Sequence, residues 1–358
     1  MRIIDWYIIR KFLGTFFYAI SLLILIVIIF DISENIDDFL RHRAPVSEIV
    51  FNYYINFIPY FINLFIYLFT FISVIFFTSK MASDSEIIAI LSSGVSFMRM
   101  LRPYLIASLF LGIMSFYLGN FLIPQTNEIR RVFKDKYMSN LLQDKDRHIH
   151  VQIEKGVFVY VENYSVKQNQ GFKFTLEKYD GPEMTYKLLA DRLQLDSTGN
   201  GWILHNYFER KIDSLQEQVR KGRRLDTTFN LAPTDLYEIK EDFEEMNYWE
   251  LKNHIENERL KGSSGVIVYE VEMHKRRAAP VAILVLTFIG VSLSSRKVRG
   301  GIGMHLGIGI GITFTYIMFM QVSTVFATFG NLSPALAAWI PNIIYALVGI
   351  YLVYKAPK

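Results

Sequence analysis

The groups able to do chemistry are sparse in this chain, and their spacing excludes most reactions. Seven histidines and no cysteine are spread over 358 residues. No His-x-x-x-His pair puts two imidazoles on one helical face, and no thiolate is present for a metal or a disulfide. His148 and His150 alternate on a predicted strand and so share one side of it, as a metal pair or as ordinary strand surface. The dipeptide Gly-Lys never occurs, which removes the P-loop and ATP bound through it. Gly301-x-Gly303 and Gly307-x-Gly309-x-Gly311 imitate a dinucleotide motif, but they lie in an apolar run with no strand before it. No hydrolase or kinase constellation remains. The chain is expected to have no catalytic residue, no metal site and no cofactor of its own.

Two patterns point to contact with partners instead. Asp84-Ser85-Glu86 introduces Ile87-Ile88-Ala89-Ile90-Leu91, and Gly94 follows as a stop. This predicts a short amphipathic helix with acidic residues favourable at its N-terminal end. It is too short to cross a bilayer. It fits either an interfacial helix or a docking helix that enters a groove on a cytoplasmic partner. Gly303, Gly307 and Gly311 recur every four residues on one helical face, the spacing of close helix contact in lipid. Packing within the chain and a moving or inter-subunit seam both fit.

The elements that position these residues follow from charge distribution. The chain is 51% hydrophobic, 15% aromatic and 20% charged, with a mean hydropathy of +0.23. Residues 12–30, 49–79, 103–127, 278–295 and 300–354 carry no Asp, Glu, Lys or Arg. A disordered chain, a coiled coil and a single soluble globule are excluded. A crossing needs roughly 20 apolar residues. Three of the runs fit one helix each, and 49–79 begins as a tilted or interfacial segment with Pro59 as its expected kink. The turn cluster Gly330-Asn331-Leu332-Ser333-Pro334 divides the last run in two. The prediction is an α-helical membrane protein with six transmembrane helices, three on each side of an insertion at 128–277. Helices 1–3 occupy 1–127, with the docking helix at about 84–96, and helices 4–6 occupy 278–358. Asp31-Ile32-Ser33-Glu34 follows the first run without a small-x-small cleavage site, so a retained anchor is expected.

Orientation follows the Lys and Arg of short loops. One side collects Arg2, Arg10, Lys11, Lys80, Arg99, Arg102, Arg296, Lys297, Arg299, Lys355 and Lys358; the other has Arg41 and Arg43. Both termini are therefore expected in the cytoplasm and the insertion outside. Outside the insertion, 13 basic residues face 8 acidic ones, so the formal +4 belongs to the membrane part and implies nothing about nucleic acid. Intramembrane ionisable groups are confined to Asp31 and His305 near helix ends, which argues against an ion-coupled carrier.

The insertion reads as short strands at 148–154, 157–161, 173–178, 192–196 and 202–208, with turns at Asp180-Gly181-Pro182 and Gly199-Asn200-Gly201. This predicts a β-sandwich or jelly-roll-like domain, either a structural cap or a surface that receives a ligand or a partner's strand. Asn247-Tyr248-Trp249-Glu250 resembles a capping box that opens a polar helix to about Leu260.

With these elements in place, nearly the whole chain resembles the LptF/LptG (YjgP/YjgQ) permeases of lipopolysaccharide export. The resemblance rests on Asp5-x-Tyr7-Ile8-x-Arg10, Ser85-Glu86-x-x-Ala89-x-x-x-x-Gly94-x-Ser96, Glu272-x-His274-x-Arg276-x-Ala278-x-Pro280 and Pro334-x-x-x-x-Trp339-x-Pro341-Asn342. The opening motif is closer to the LptG branch. The resemblance implies an inner-membrane exporter of a Gram-negative bacterium. Two such permeases form a heterodimer, and two copies of the ATPase LptB below hold ATP and magnesium. It also implies a periplasmic jelly-roll-like domain that passes lipopolysaccharide towards LptC and LptA.

In that family the loop glutamate enters the ATPase groove, and Glu86 is the matching position, flanked by Asp84, Ser85 and Gly94. Basic residues near the outer end of the third helix face lipid phosphates. Arg131 matches, with Lys134 one turn on and Arg130 beside it, although a solvated juxtamembrane face fits the same residues. Arg offers a planar fork suited to phosphate oxygens. The chain departs from the family at the outer end of the first helix, where Asp31, Glu34, Asp37 and Asp38 replace an expected basic residue. Two rival readings are a lipoprotein-releasing ABC permease, which has one helix before its domain and three after, and a non-transporting envelope scaffold, which needs no docking helix.

Overall fold

The computed structural model describes residues 3–138, 142–144, 148–165, 168–196, 201–213, 216–231, 233–239, 242–260, 265–296 and 301–355. Arg2, Lys297, Arg299 and Lys358 of the orientation argument, Gly199 and Asn200 of a predicted turn, and Gly300 lie outside the described residues. Among the described residues, six helical stretches are long and apolar enough to cross a membrane, three before the inserted β-domain and three after it.

The first is α1 (Ile3–Arg41), 39 residues or about 58 Å at about 1.5 Å per residue, longer than a hydrocarbon layer of about 30 Å. No Gly or Pro occurs between Gly14 and Pro45, so nothing interrupts it until Arg43 turns left-handed at φ 52°. The second span joins α2 (Val46–Glu48), a π-helical stretch at Ile49–Tyr54 and α3 (Ile55–Ser83), which contains Pro59. After α4 (Glu86–Ser92), the third span joins α5 (Phe97–Tyr117), a π-helical stretch at Leu118–Leu122 and α6 (Ile123–Tyr137). Beyond the sheet come α7 (Asp242–Glu245), α8 (Tyr248–Leu260), α9 (Val266–Ser294), α10 (Gly301–Phe329) and α11 (Pro334–Lys355). The predicted turn between the last two spans is present, with Ser333 Oγ accepting from the Leu336 N–H at 3.4 Å.

Charge marked the edge of the apolar layer, not the ends of its helices. Helix α6 runs past residue 127 to Tyr137, and α9 starts at Val266. The chain divides into two compact units. One comprises Met1–Met138, Phe243–Leu251 and Ile267–Lys358; the other comprises Ser139–Asp242 and Lys252–Val266.

In the helical unit, α3 is the central element and packs on α1, α5 and α10. Ile8, Phe12, Phe16 and Ile20 of α1 bury against Ile66 and Val74 of α3, and against Tyr104, Ala107 and Leu111 of α5. Phe71 and Ile75 form a second cluster with Ala282, Leu286 and Ile289 of α9 and Tyr316 of α10. Polar bonds fix the register of the last three helices: Tyr316 Oη donates to Asn342 Oδ1 (2.8 Å), and Asn342 Nδ2 donates to the Ala278 carbonyl (3.1 Å).

In the other unit, β2 (Ile149–Glu154), β3 (Val157–Val161), β5 (Gln170–Asp180), β6 (Glu183–Leu195), β7 (Trp202–Asp213) and β8 (Gln216–Thr227) follow one another in an antiparallel sheet. A short β4 (Asn163–Ser165) also pairs with β5, making seven strands. A separate ribbon pairs β1 (Leu142–Asp144) with β9 (Tyr237–Ile239). Alternate residues of the sheet, including Val159, Val161, Phe174, Leu176, Leu188 and Leu204, line one core, to which Leu231 and Leu236 also contribute. The Trp202 indole N–H donates to the Leu231 carbonyl (3.0 Å). The Asp180–Glu183 hairpin turns through Gly181 at φ 58°, as its sequence predicts. Gly156 has φ 78°, and a Cβ there would meet the Tyr179 carbonyl oxygen at 2.7 Å.

Candidate functional site

At the first candidate site, α3 ends and the chain reverses through Asp84 and Ser85. Ser85 is left-handed, at φ 63°. Glu86 opens α4, where Ile87 is fully buried while Ile88 and Ala89 face out, so the seven-residue helix is amphipathic as expected. Ile90 and Leu91 pack on the same α1–α3–α5 core as Ile87. Gly94, at φ 86° with open space around it, lets the chain turn into α5. Ser96 caps that helix by accepting from the Arg99 N–H (3.3 Å).

Two contacts tie this loop to the start of α1. The Tyr7 hydroxyl donates to Glu86 Oε2 at 3.3 Å. Arg99 donates from Nη1 and Nη2 to the two oxygens of Asp5, at 2.8 and 2.7 Å. Asp5 is buried, although it lies in the first turn of a helix. Asp5 and Tyr7 belong to the opening sequence motif, but their partners are some 80 to 94 residues away and no local pattern reveals them.

The predicted phosphate cations lie at the far end of the third span. Arg130 is buried, with its guanidinium 5.3 Å from the Tyr60 ring centre and 5.9 Å from that of Phe57. Arg131 is half-buried, and its Nε lies 2.8 Å from both carboxylate oxygens of Glu245; Asp135 is 3.5 Å from its Nη1. Lys134 is half-buried one turn on. The three are therefore not one open cationic patch: Arg130 packs on aromatic rings, and Arg131 faces a carboxylate. Along a second face of α6, Glu128, Ile129, Val132, Phe133 and Lys136 line an open groove of about 600 Å³ with Glu48 and Asn52.

Glu245 escaped the sequence reading because it is over a hundred residues from Arg131 in a polar stretch. Arg276 also acts here, donating to the Met246 carbonyl (2.8 Å), the Phe243 carbonyl (2.7 Å) and Glu272 Oε1 (2.9 Å). The unexpected Asp31 has a structural account. Its carboxylate accepts from the hydroxyls of Tyr53 (3.2 Å) and Tyr54 (2.9 Å), so it fastens α1 to the π-helical stretch of the second span.

Of the glycine stripe, a Cβ added at Gly303, Gly307 or Gly311 would meet nothing within 4 Å from other elements among the described residues. The close helix contact is made by Gly309, where an added Cβ would stand 2.2 Å from Ile75 Cδ1 and 3.2 Å from the Phe71 ring. The three stripe glycines are exposed on the face of α10 away from that contact. Among the described residues, no group of His, Asp or Glu could hold a metal ion.

Residues 6–355 match the family described as lipopolysaccharide export system permease LptF/LptG. No curated protein matches the chain.

Proposed function

The chain belongs to the LptF/LptG family of lipopolysaccharide export permeases, multi-pass inner-membrane transport subunits, and from that premise we propose that it is one of two permeases in an ATP-driven exporter. The exporter draws lipopolysaccharide from the inner membrane and passes it to a periplasmic bridge. The observation that carries this reading is the family match over residues 6–355. The matched family joins the LptF and LptG branches.

The motor belongs to another chain, an LptB-type ATPase dimer that holds ATP and magnesium. Glu86 is its contact, at the start of a helix that Ile87 anchors in the core while Ile88 and Ala89 face out. A push on α4 reaches α1 through Tyr7 and α5 through the packed core. The helices then narrow a cavity shared with a second permease, for which the open glycine face of α10 is a fitting surface. Arg131 and Lys134, with Arg130 beside them, meet the lipid phosphates at the outer end. The glycolipid leaves onto the β-domain, which continues to LptC- and LptA-type partners. Both termini lie in the cytoplasm in this reading.

Depletion of the chain tests it. Newly made lipopolysaccharide should then stay in the inner membrane. Undiminished arrival at the outer membrane would overturn the proposal.

A further inference from the structure

Residues 243–246 form a strap across α6 and α9, and it is held in two chemically different ways. Its main chain is clamped by side chains that donate to carbonyls. Arg276, whose side chain is 7% exposed, takes the oxygens of Phe243 and Met246, and Glu272 fixes the guanidinium from behind. Asn127 Nδ2 donates to the Glu244 carbonyl at 3.3 Å. The fourth hold is different: the Glu245 side chain reaches Arg131, with both its oxygens 2.8 Å from Nε. Rotation of one side chain releases that contact while the main-chain clamps stay in place.

A carboxylate and a phosphate present the same anionic oxygens to a guanidinium, but a phosphate monoester carries more charge, about −1.5 to −2 near neutral pH, and a third oxygen. We infer that Glu245 is an internal competitor for the phosphate position on Arg131, and that it sets the lipid specificity of the site. Glu245 occupies Arg131 until a lipid phosphate displaces it, and a glycolipid without phosphate cannot. Asp135, 3.5 Å from Nη1, stays beside Arg131 as a counterion when Glu245 swings away. The inference rests on Arg131 being the phosphate-facing residue.

The test uses the full chain in its native complex, with a photo-crosslinking residue at Val132, which is exposed beside Arg131. Phosphorylated lipopolysaccharide and the same lipid with its phosphates removed are supplied below saturation. Glu245→Gln should raise crosslinking of the phosphorylated lipid about two- to fivefold, as expected for removal of a partly exposed competing charge. The phosphate-free lipid should be unaffected. Glu245→Asp, which keeps the charge, should stay near the parent chain, and the gain should vanish when Arg131→Gln is added. Unchanged crosslinking in Glu245→Gln, or an equal rise for both lipids, overturns the competitor role. If Arg131→Gln alone leaves crosslinking of the phosphorylated lipid unaltered, the phosphate-site reading itself is wrong.

Discussion

Asp5 and Arg99 meet fork to fork, with Nη1 and Nη2 at 2.8 and 2.7 Å from the two carboxylate oxygens, so the first turn of α1 is fastened to the first turn of α5 beside the Glu86 loop. Lys carries the same charge but cannot make two parallel bonds. Arg99→Lys should therefore lower the melting temperature of the purified chain by a few degrees and weaken transport. Asp5→Arg combined with Arg99→Asp should recover part of both, which separates the pair from the individual residues. Equal melting for Arg99→Lys and the parent chain would remove this contact from the account.

Glu86 is held by one hydroxyl, from Tyr7. Glu86→Lys should abolish co-purification of the ATPase. Tyr7→Phe keeps the ring that packs edge-on against Phe77 and removes only the hydroxyl. It should leave the ATPase bound while lowering transport several-fold, since a long, exposed hydrogen bond contributes about 0.5–1.5 kcal/mol. Loss of ATPase binding in Tyr7→Phe would show that the hydroxyl builds the docking surface rather than orienting Glu86.

Two glycines on opposite faces of α10 should respond oppositely. Gly309→Ala forces a methyl group against Ile75 and Phe71, and overpacking of this kind costs about 1–3 kcal/mol. It should lower the melting temperature. Gly307→Leu has open space and should leave the melting of the isolated chain unchanged. It should instead reduce recovery of the second permease, measured by affinity purification of a tagged chain.

Glu177 in the β-domain accepts from Lys187 Nζ (2.7 Å) and from the Tyr179 hydroxyl (2.9 Å). The bond to Lys187 is the main reason its carboxyl titrates below the ordinary 4.5. A lowered folded value means the carboxylate stabilises the fold above pH 4.5 and ceases to do so as pH falls through the lower folded value. Glu177→Gln should melt earlier than the parent chain near neutral pH, and the gap should close on acidification through the lowered folded value. A gap that persists in acid would point to lost packing instead of lost charge.

Much of this architecture was legible because its signals are local. Charge-free runs mark apolar layers, Gly181 and Gly330 to Pro334 mark turns, and Asn247 with Glu250 announces a capping box. That box is present: Asn247 Oδ1 accepts from the N–H groups of Trp249 and Glu250, and Glu250 Oε2 accepts from the Asn247 N–H. Strand β8 gave no such signal. Its run Gln-Glu-Gln-Val-Arg-Lys-Gly-Arg-Arg-Leu-Asp-Thr is charged because it is an outer strand, where charge discourages pairing with other chains. The packing face of α10 was equally hidden. An all-round apolar helix has no polar side to mark its outside, so the four-residue glycine repeat could not be told from the single Gly309 that makes the contact. Long-range pairs such as Asp5 with Arg99, Arg131 with Glu245 and Asp31 with Tyr53 and Tyr54 leave no periodicity at all.

The central claim, a lipopolysaccharide permease driven by another chain's ATPase, is tested most directly by affinity purification from the native membrane with mass spectrometry of everything retained. The expected yield is an ATPase, a second permease of the same family and bound lipopolysaccharide, with the ATPase lost in Glu86→Lys. Recovery of the chain without any ATPase, or with a lipoprotein in place of lipopolysaccharide, would contradict it.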